Sequence, residues 1–511
     1  MSSSESPTET ESLGTLHSSA SEQRRFFKNI SWTTLSMVLR LGCAGGALAV
    51  LGRLVDPGTM GLYGMGWAAA MLGFTVSQSG AAQGIIALPK MEKEHVAAAQ
   101  LLSMLISVGI GLAIIASGPA VQAFYHYPHL KAAFFLAGLF VPLMSLPAVD
   151  NARAQKELQF SRLAMVQTGG VVLAAVTSIA LAFAHQGLIA LYGIQGFIGP
   201  FTFLLFRLYR VPAGYGRTTR RHIGDVWRIG MHLSLGSLTS VVYQNVPQLV
   251  LAKMVSVDAL GLFVFCSRIL QIISSQLGNM VNTVVYPTFA RYSSDPAQVG
   301  RSYLQTVRFT FFCIMVPMIA LAAAPTSFLH VYGGGKWVTA DGILFYLVIM
   351  QMLACLGANA LPTFMALGKP QVVWQWYLIL TTVQSSTILV TAHWGILAVI
   401  KGLVVSTLVM PLLIFWLSKA AHFRFMDFWR NMALLIALIP PAIAIGAAIQ
   451  HSLPRAPVLA KFVAASAAAT LFYIIVVLTA DSQFRQFSQD ALRALRRRIS
   501  AGAARAEATG S

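Results

Sequence analysis

Charged side chains are scarce in this chain: Asp, Glu, Lys and Arg together make up 10% of the sequence, against 56% hydrophobic residues. At a mean hydropathy of +0.68 there is too little polar surface to cover a globule in water, which excludes a soluble protein and implies an integral membrane protein. Acids are rarer still, 17 against 36 Lys and Arg, and none falls in the middle of an apolar run. Cysteine is sparse. Cys43, Cys266, Cys313 and Cys355 all lie within apolar runs, where they read as small buried residues with no disulfide framework and no metal-ligand spacing. Residues 1–23 are rich in Ser, Thr and Glu and lack a basic segment, so no cleavable signal peptide is expected. "GGGKW" (333–337) lacks the earlier Gly and the following Ser or Thr of a phosphate-binding loop, and "YHYPH" (125–129) reads as a loop with solvated histidines. With no Ser-His-Asp set, no paired carboxylates and no nucleotide-binding domain, an enzyme is disfavoured; no catalytic residue, metal or cofactor is expected.

What the chain does have is long apolar runs. A bilayer core of roughly 30 Å needs about 20 apolar residues per helix, and about fourteen runs meet that need. They cover 30–52, 60–88, 96–117, 130–149, 160–184, 187–206, 227–252, 258–287, 305–330, 341–367, 371–392, 394–417, 427–449 and 457–479. A membrane barrel would show short alternating segments instead, so the expected fold class is an all-α integral membrane protein with about 14 transmembrane helices. The formal charge of +19 is explained by topology. With the N-terminus cytoplasmic, six cations fall on outer connections (Arg53, Lys131, Lys253, Lys336, Arg455 and Lys461), three lie inside spans (Arg40, Arg268 and Lys401), and the rest are cytoplasmic. That is the positive-inside pattern, with both termini cytoplasmic. No basic stretch is interleaved with aromatics, so the bilayer, not nucleic acid, is the expected partner.

The basic connection after span 6 divides the first twelve helices into two sets of six. "RLVDPGTMGLY" (53–63) and "KMVSVDALGLF" (253–263) superimpose at an offset of 200, each between the first and second helix of its set. "ALPKM" and "VYPTF" echo each other around Pro89 and Pro287. Both sets start from the cytoplasm, so the repeat is parallel, and transporters so built hold substrate in the seam and rock the lobes about it. The expected organisation is a disordered cytoplasmic tail 1–28, an N-lobe 29–206, a basic cytoplasmic linker 207–226, a C-lobe 227–417, helices 13 and 14 over 418–480, and a basic tail 481–511. The stretch 484–500 has helical apolar spacing beside arginines and reads either as an amphipathic helix on the inner leaflet or as a solvated tail.

A cation deep in a bilayer costs several kcal/mol, so it faces protein or a watery cavity. Arg40 and Arg268 each lie about ten residues from one end of their span, roughly 15 Å deep, and Lys401 lies at roughly 10 Å. No central carboxylate is there to neutralise them. They bond either to backbone carbonyls and cavity water or to an anion brought by the substrate, and the guanidinium fork suits phosphate, as in a lipid-linked diphosphate. Arg53 and Lys253, at matching outer ends, read either as the next phosphate ligands or as interfacial anchors. Gln244, Asn245 and Gln248 of span 7 and Asn279 and Asn282 of span 8 read as glycan contacts or as interhelical hydrogen bonds. Gln276, Gln83 and Asn359 read the same way. Pro247 is a candidate hinge. A negative interior favours outward movement of anions by roughly 2.3 kcal/mol per charge per 100 mV.

"LGRLVDPGTMGLYGM", "NARAQKELQFSRLA" (151–164), "VVYPTFARYSSD" (284–295), "GGGKWVTA" (333–340) and "FMALGKPQVVW" (364–374) resemble, in this order, patterns of the polysaccharide transporter (Wzx-type) family. That family is a branch of the multidrug/oligosaccharidyl-lipid/polysaccharide flippase superfamily. The resemblance spans about residues 25 to 480. It implies two six-helix lobes around a central V-shaped cavity plus two extra C-terminal helices. The implied activity is outward flipping of undecaprenyl-diphosphate-linked oligosaccharide repeat units in the bacterial cytoplasmic (inner) membrane, for exopolysaccharide or lipopolysaccharide biosynthesis. The implied partners are a polymerase and chain-length or export components. Three alternatives remain: a flippase for another lipid-linked diphosphate of the peptidoglycan-precursor type, a multidrug or cation antiporter, and a membrane glycosyltransferase or polymerase. The antiporter is disfavoured by the lack of central acids, and the enzyme by short outer loops.

Overall fold

The computed structural model describes residues 36–87, 92–157, 159–209, 219–291, 295–481 and 484–485. The expected N-terminal tail, the centre of the basic linker and the amphipathic stretch beyond Arg485 lie outside them. Among the described residues the regular structure is helical. The helices are α1 (Ser36–Leu54), α2 (Pro57–Ala87), α3 (Lys93–Tyr125), α4 (Leu130–Ser145), α5 (Ala148–Lys156), α6 (Phe160–Phe183), α7 (Gly187–Gly196), α8 (Ile198–Leu208), α9 (Arg220–Met254) and α10 (Val257–Arg291). There follow α11 (Pro296–Ala323), α12 (Pro325–Gly333), α13 (Asp341–Ala354), α14 (Ala360–Ala366), α15 (Gln371–Thr391), α16 (Ile396–Ser406), α17 (Met410–Ala420), α18 (Phe425–Ala437), α19 (Ile439–Ser452) and α20 (Val458–Ala480).

Singly or as broken runs, these helices lie where the sequence places its spans. Ten are long and apolar enough to cross a membrane, or eleven if α7 and α8, bent by 46° at Phe197, make one span. The number reaching that threshold among the described residues is therefore below fourteen. The stretches that fall short, α2, α9 and α15, are interrupted by Gly, Gln, Asn, Ser and Thr. They are not scattered: α9 packs against both α2 and α15. Helices too polar to face lipid throughout are thus gathered on one another, whereas α3 turns Leu105 and Leu112 outward, as a lipid-facing helix should.

The chain forms two compact units. The first holds α1 to α9, α10 as far as Met280, α15 and α16; the second holds the rest. The bounds of these units are not those of the two six-helix lobes expected from the sequence repeat.

In the first unit the repeat has a structural counterpart. Asp56 precedes Pro57 and caps α2, its carboxylate accepting from Thr59 N at 2.8 Å and Thr59 Oγ1 at 2.9 Å. Pro at the first helical position leaves no donor wasted. At the offset of 200, the Ser256 hydroxyl accepts from Ala259 N at 3.3 Å at the start of α10. One turn further in, a Cβ added at Gly61 would strike the Val257 carbonyl oxygen, and one at Gly261 would strike the Pro57 carbonyl oxygen. The matched glycines let α2 and α10 touch backbone to backbone, reciprocally, as small residues do in membrane helices. Gly111 of α3 and Gly138 of α4 are apposed in the same way.

The second unit is tied by Asn359 Nδ2 to Thr310 Oγ1 at 2.8 Å, by Ser466 Oγ to the Ala320 carbonyl at 2.9 Å, and by the ion pair of Arg308 with Asp481. Phe484, buried, rests its ring against Phe312.

Candidate functional site

Gly261, Val264 and Arg268 follow one another at spacings of three and four on one stripe of α10. The close crossing at Gly261 therefore aims the arginine, two turns further along, at α2. Its guanidinium carbon sits 5.6 Å from the Tyr63 ring centroid and 5.3 Å from that of Trp67, which are themselves one turn apart on α2. Attraction to the ring faces stabilises the cation in place of a counter-ion. The rings are held from behind by Tyr192 of α7, whose hydroxyl donates to the Ala133 carbonyl at 2.9 Å and whose ring stacks on Phe140.

On its other side Arg268 is linked to α9 through Gln271 of its own helix. Nη1 donates to Gln271 Oε1 at 2.7 Å, and Gln271 Nε2 reaches Gln244 Oε1 at 3.4 Å. Gln244 Nε2 in turn lies 3.2 Å from Ser240 Oγ. Two donors nearby lack an acceptor: the indole Nε1 of Trp67, whose side chain is fully buried, and Nε2 of Gln248. Gln248 Nε2 lies against Gly64, which precedes Trp67 by three residues on α2. Buried donors are normally satisfied, so a guanidinium with no carboxylate among the described residues, beside two orphaned N–H groups, is a donor-rich site that suits an acceptor-rich anion.

Arg40 is half-buried on α1, and its partners are separate. Nε donates to the Ser36 carbonyl at 3.3 Å and Nη1 to Gln167 Oε1 of α6 at 2.9 Å, while Gln167 Nε2 is 3.4 Å from Asn151 Oδ1. Among the described residues the hydrogen-bond partners of Arg40 and those of Arg268 are different. Ser36 and Leu39, helix neighbours of Arg40, line an apolar groove of about 410 Å³ with Met165, Thr168 and Val172, among others.

The remaining expected residues scatter. Lys253 is exposed; Nζ donates to the Phe124 carbonyl and lies 4.3 Å from that ring's centroid, the contacts of an interfacial anchor. Next to it the single O–H of Tyr127 is shared between the Ala252 and Val255 carbonyls, and burial pushes that phenol's pKa up, so it stays protonated. Arg53 and Lys401 are exposed on α1 and α16. Asn245 is buried and spends Nδ2 on the Val241 carbonyl at 2.8 Å, a bond within its own helix. Pro247 is buried, and α9 runs on through it from Arg220 to Met254. The side chains of Asn279, Asn282, Gln276 and Gln83 lie outside the described residues. Tyr63, Trp67, Gln167 and Gln271 were missed at the sequence level, because an aromatic or amide within an apolar helix carries no signal of its own. Only the i, i+4 spacing of Tyr63 and Trp67 on the polar helix α2 hints at them.

The model of the family described as "Polysaccharide biosynthesis protein" matches residues 50–341. The lipopolysaccharide biosynthesis protein WzxC of Escherichia coli (strain K12) is 21% identical over 335 residues, 64% of this chain and 67% of that protein. The lipid II flippase MurJ in an inward closed conformation superimposes with a TM-score of 0.69 at 13% identity, over 91% of this chain and all of that one. An inward-facing multidrug resistance MATE family transporter of the MOP superfamily gives 0.60 at 15% identity, over 76% of this chain and 98% of that one. At such identities these two likenesses are of fold, and the fold is the one expected from the sequence. With more than half of its length matched by the family model, the chain belongs to the polysaccharide biosynthesis protein family.

Proposed function

We propose that the protein is a flippase that moves a lipid-linked oligosaccharide diphosphate outward across the bacterial cytoplasmic membrane, with the diphosphate bound at Arg268. The carrying observation is the Arg268 cluster itself, a membrane-embedded guanidinium held by Tyr63, Trp67 and Gln271, with the unpartnered Trp67 Nε1 and Gln248 Nε2 beside it. A cation so placed faces protein or cavity. Phosphate oxygens bring both the missing charge and the missing acceptors. Gln244 and Gln271 already form a chain of amides from the cation, and they extend the site toward sugar hydroxyls. Arg40, which bonds the carbonyl of Ser36, a residue lining an apolar groove, supplies a second cation on the route, with the groove taking part of the isoprenoid chain. Membership of a polysaccharide biosynthesis family and the likeness to WzxC support the glycan class, and the fold shared with a lipid II flippase supports the mode of action. The lack of a carboxylate at Arg268 among the described residues disfavours a cation antiporter.

The test is reconstitution in vesicles with a fluorescent lipid-diphosphate oligosaccharide, scoring how much becomes accessible on the far leaflet. Arg268→Ala is expected to lower the flipping rate by about a hundredfold, the order of a lost charged hydrogen bond of 1.5–3 kcal/mol. Arg268→Lys should recover part of it, since Lys keeps the charge without the fork, and Trp67→Phe should cost about tenfold by removing one donor. Wild-type flipping by correctly inserted Arg268→Ala would overturn the reading.

A further inference from the structure

Two helix starts lie side by side at the end of the first unit that the charge pattern assigns to the cytoplasm. Glu92 occupies the N-cap position of α3 and His95 the first turn; Thr219 occupies the N-cap position of α9 and His222 its first turn. Neither cap residue's side chain caps a backbone N–H of its helix. The His95 and His222 rings meet edge to face with centroids 4.7 Å apart. Glu92 Oε2 lies 3.8 Å from His95 Nδ1 and 3.7 Å from His222 Nε2, and all three atoms lie within 4.8 Å of one another. These separations exceed hydrogen-bond length. His95 Nδ1 is buried and has no hydrogen-bond partner. The other nitrogen of His222, Nδ1, sits 2.8 Å from Thr219 Oγ1, which orients the ring as a supporting hydroxyl does behind a metal-ligating imidazole.

We propose that Glu92 Oε2, His95 Nδ1 and His222 Nε2 form a site for a divalent first-row transition metal, Zn²⁺ by preference. Two imidazoles and a carboxylate are a recurrent Zn²⁺ ligand set that leaves a fourth position for water. Bonds of about 2.0–2.2 Å in a tetrahedron put ligand atoms about 3.3 Å apart, so on binding the two Glu92 separations close by about half an ångström and the two imidazole nitrogens, within 4.8 Å of each other, by up to about 1.5 Å. Glu92 is 60% exposed, which leaves it free to swing inward and gives the ion an entry path. Because the ligands come from the starts of two different helices, the ion clamps the cytoplasmic ends of α3 and α9 together. At their other ends these helices are already joined through the Tyr125 hydroxyl and the Leu249 carbonyl at 3.2 Å. Metal is therefore expected to stabilise the conformation seen here. That it would slow transport rests on the function proposed above, but the site does not.

The experiment is Zn²⁺ titration of the full-length protein, carrying no polyhistidine tag, against a chromophoric chelator in detergent. One ion per chain is expected, lost in His95→Ala and in His222→Ala and weakened about tenfold by Thr219→Val. His126→Ala/His129→Ala, in the outer loop, should bind as wild type does. X-ray absorption at the zinc edge of the loaded wild type, showing two imidazoles and oxygen, guards against variants that merely misfold. Equal stoichiometry in the wild type and the His95→Ala/His222→Ala protein, or a zinc edge without imidazole, would overturn the proposal. Neither outcome touches the Arg268 reading, since binding is measured without transport.

Discussion

Four arginines among the described residues divide into two physical classes according to what neutralises them. Arg207 meets Asp150 at 2.7 Å, and Arg308 meets Asp481, with both carboxylates only 4% exposed. Arg40 and Arg268 meet amides, a carbonyl and aromatic rings instead. The first class is structural: removing one partner strands a desolvated charge at a cost of about 3–5 kcal/mol, whereas replacing both by apolar groups is close to neutral. Asp481→Asn should therefore lower the melting temperature in detergent more than the Arg308→Met/Asp481→Leu double variant does. Equal loss in the two would show that the pair contributes net stability rather than mutual neutralisation. Arg268→Ala belongs to the other class and should leave melting nearly unchanged while flipping falls, so the two experiments separate folding cations from working ones.

At the scale of helices, composition decided most of the layout. Each of the fourteen apolar runs coincides with a helix or a broken helical run, because a backbone in hydrocarbon has no other way to satisfy its polar groups. The breaks were not legible. The bend at Phe197 goes with neighbours such as Phe140 packing on Gly196, which a window of hydropathy cannot see, and hydropathy alone also passes over the joint between α11 and α12, which falls at Pro325. Of the site, Arg268 and Gln244 were legible because charge and amide stand out against apolar sequence. Trp67 and Gln271 were not, and the Glu92, His95 and His222 cluster joins helix starts remote in the chain. The repeat was visible through matching glycines, and the structure supplies the reason: Gly61 and Gly261 each face the other helix's carbonyl. Alanine at either should force α2 and α10 apart and cost about 1–3 kcal/mol as overpacking. Gly46→Ala on α1, where a Cβ meets nothing within 4 Å, should be neutral or stabilising through helix propensity. A thermal-shift comparison of the three checks this; the same loss at all of them would deny the crossing its role.

For the whole molecule the distribution of charge sets the energetics of transport. Arg40 and Arg268 stand within apolar helices, and among the described residues the acids sit in connections or near helix ends, so on the proposed function a diphosphate would meet no fixed negative charge in the middle of those helices. Each uncompensated negative charge carried outward gains roughly 2.3 kcal/mol per 100 mV of inside-negative potential. Proteoliposomes holding an imposed potassium gradient with valinomycin should thus flip the lipid-linked substrate faster when the compartment it leaves is negative, and more slowly when the polarity is reversed. The contrast should shrink in Arg268→Lys only through its lower overall rate, because the transported charge is unchanged. A rate indifferent to polarity would mean that a co-transported cation cancels the diphosphate charge during the crossing, and that the arginines bind the headgroup without letting the membrane potential drive it.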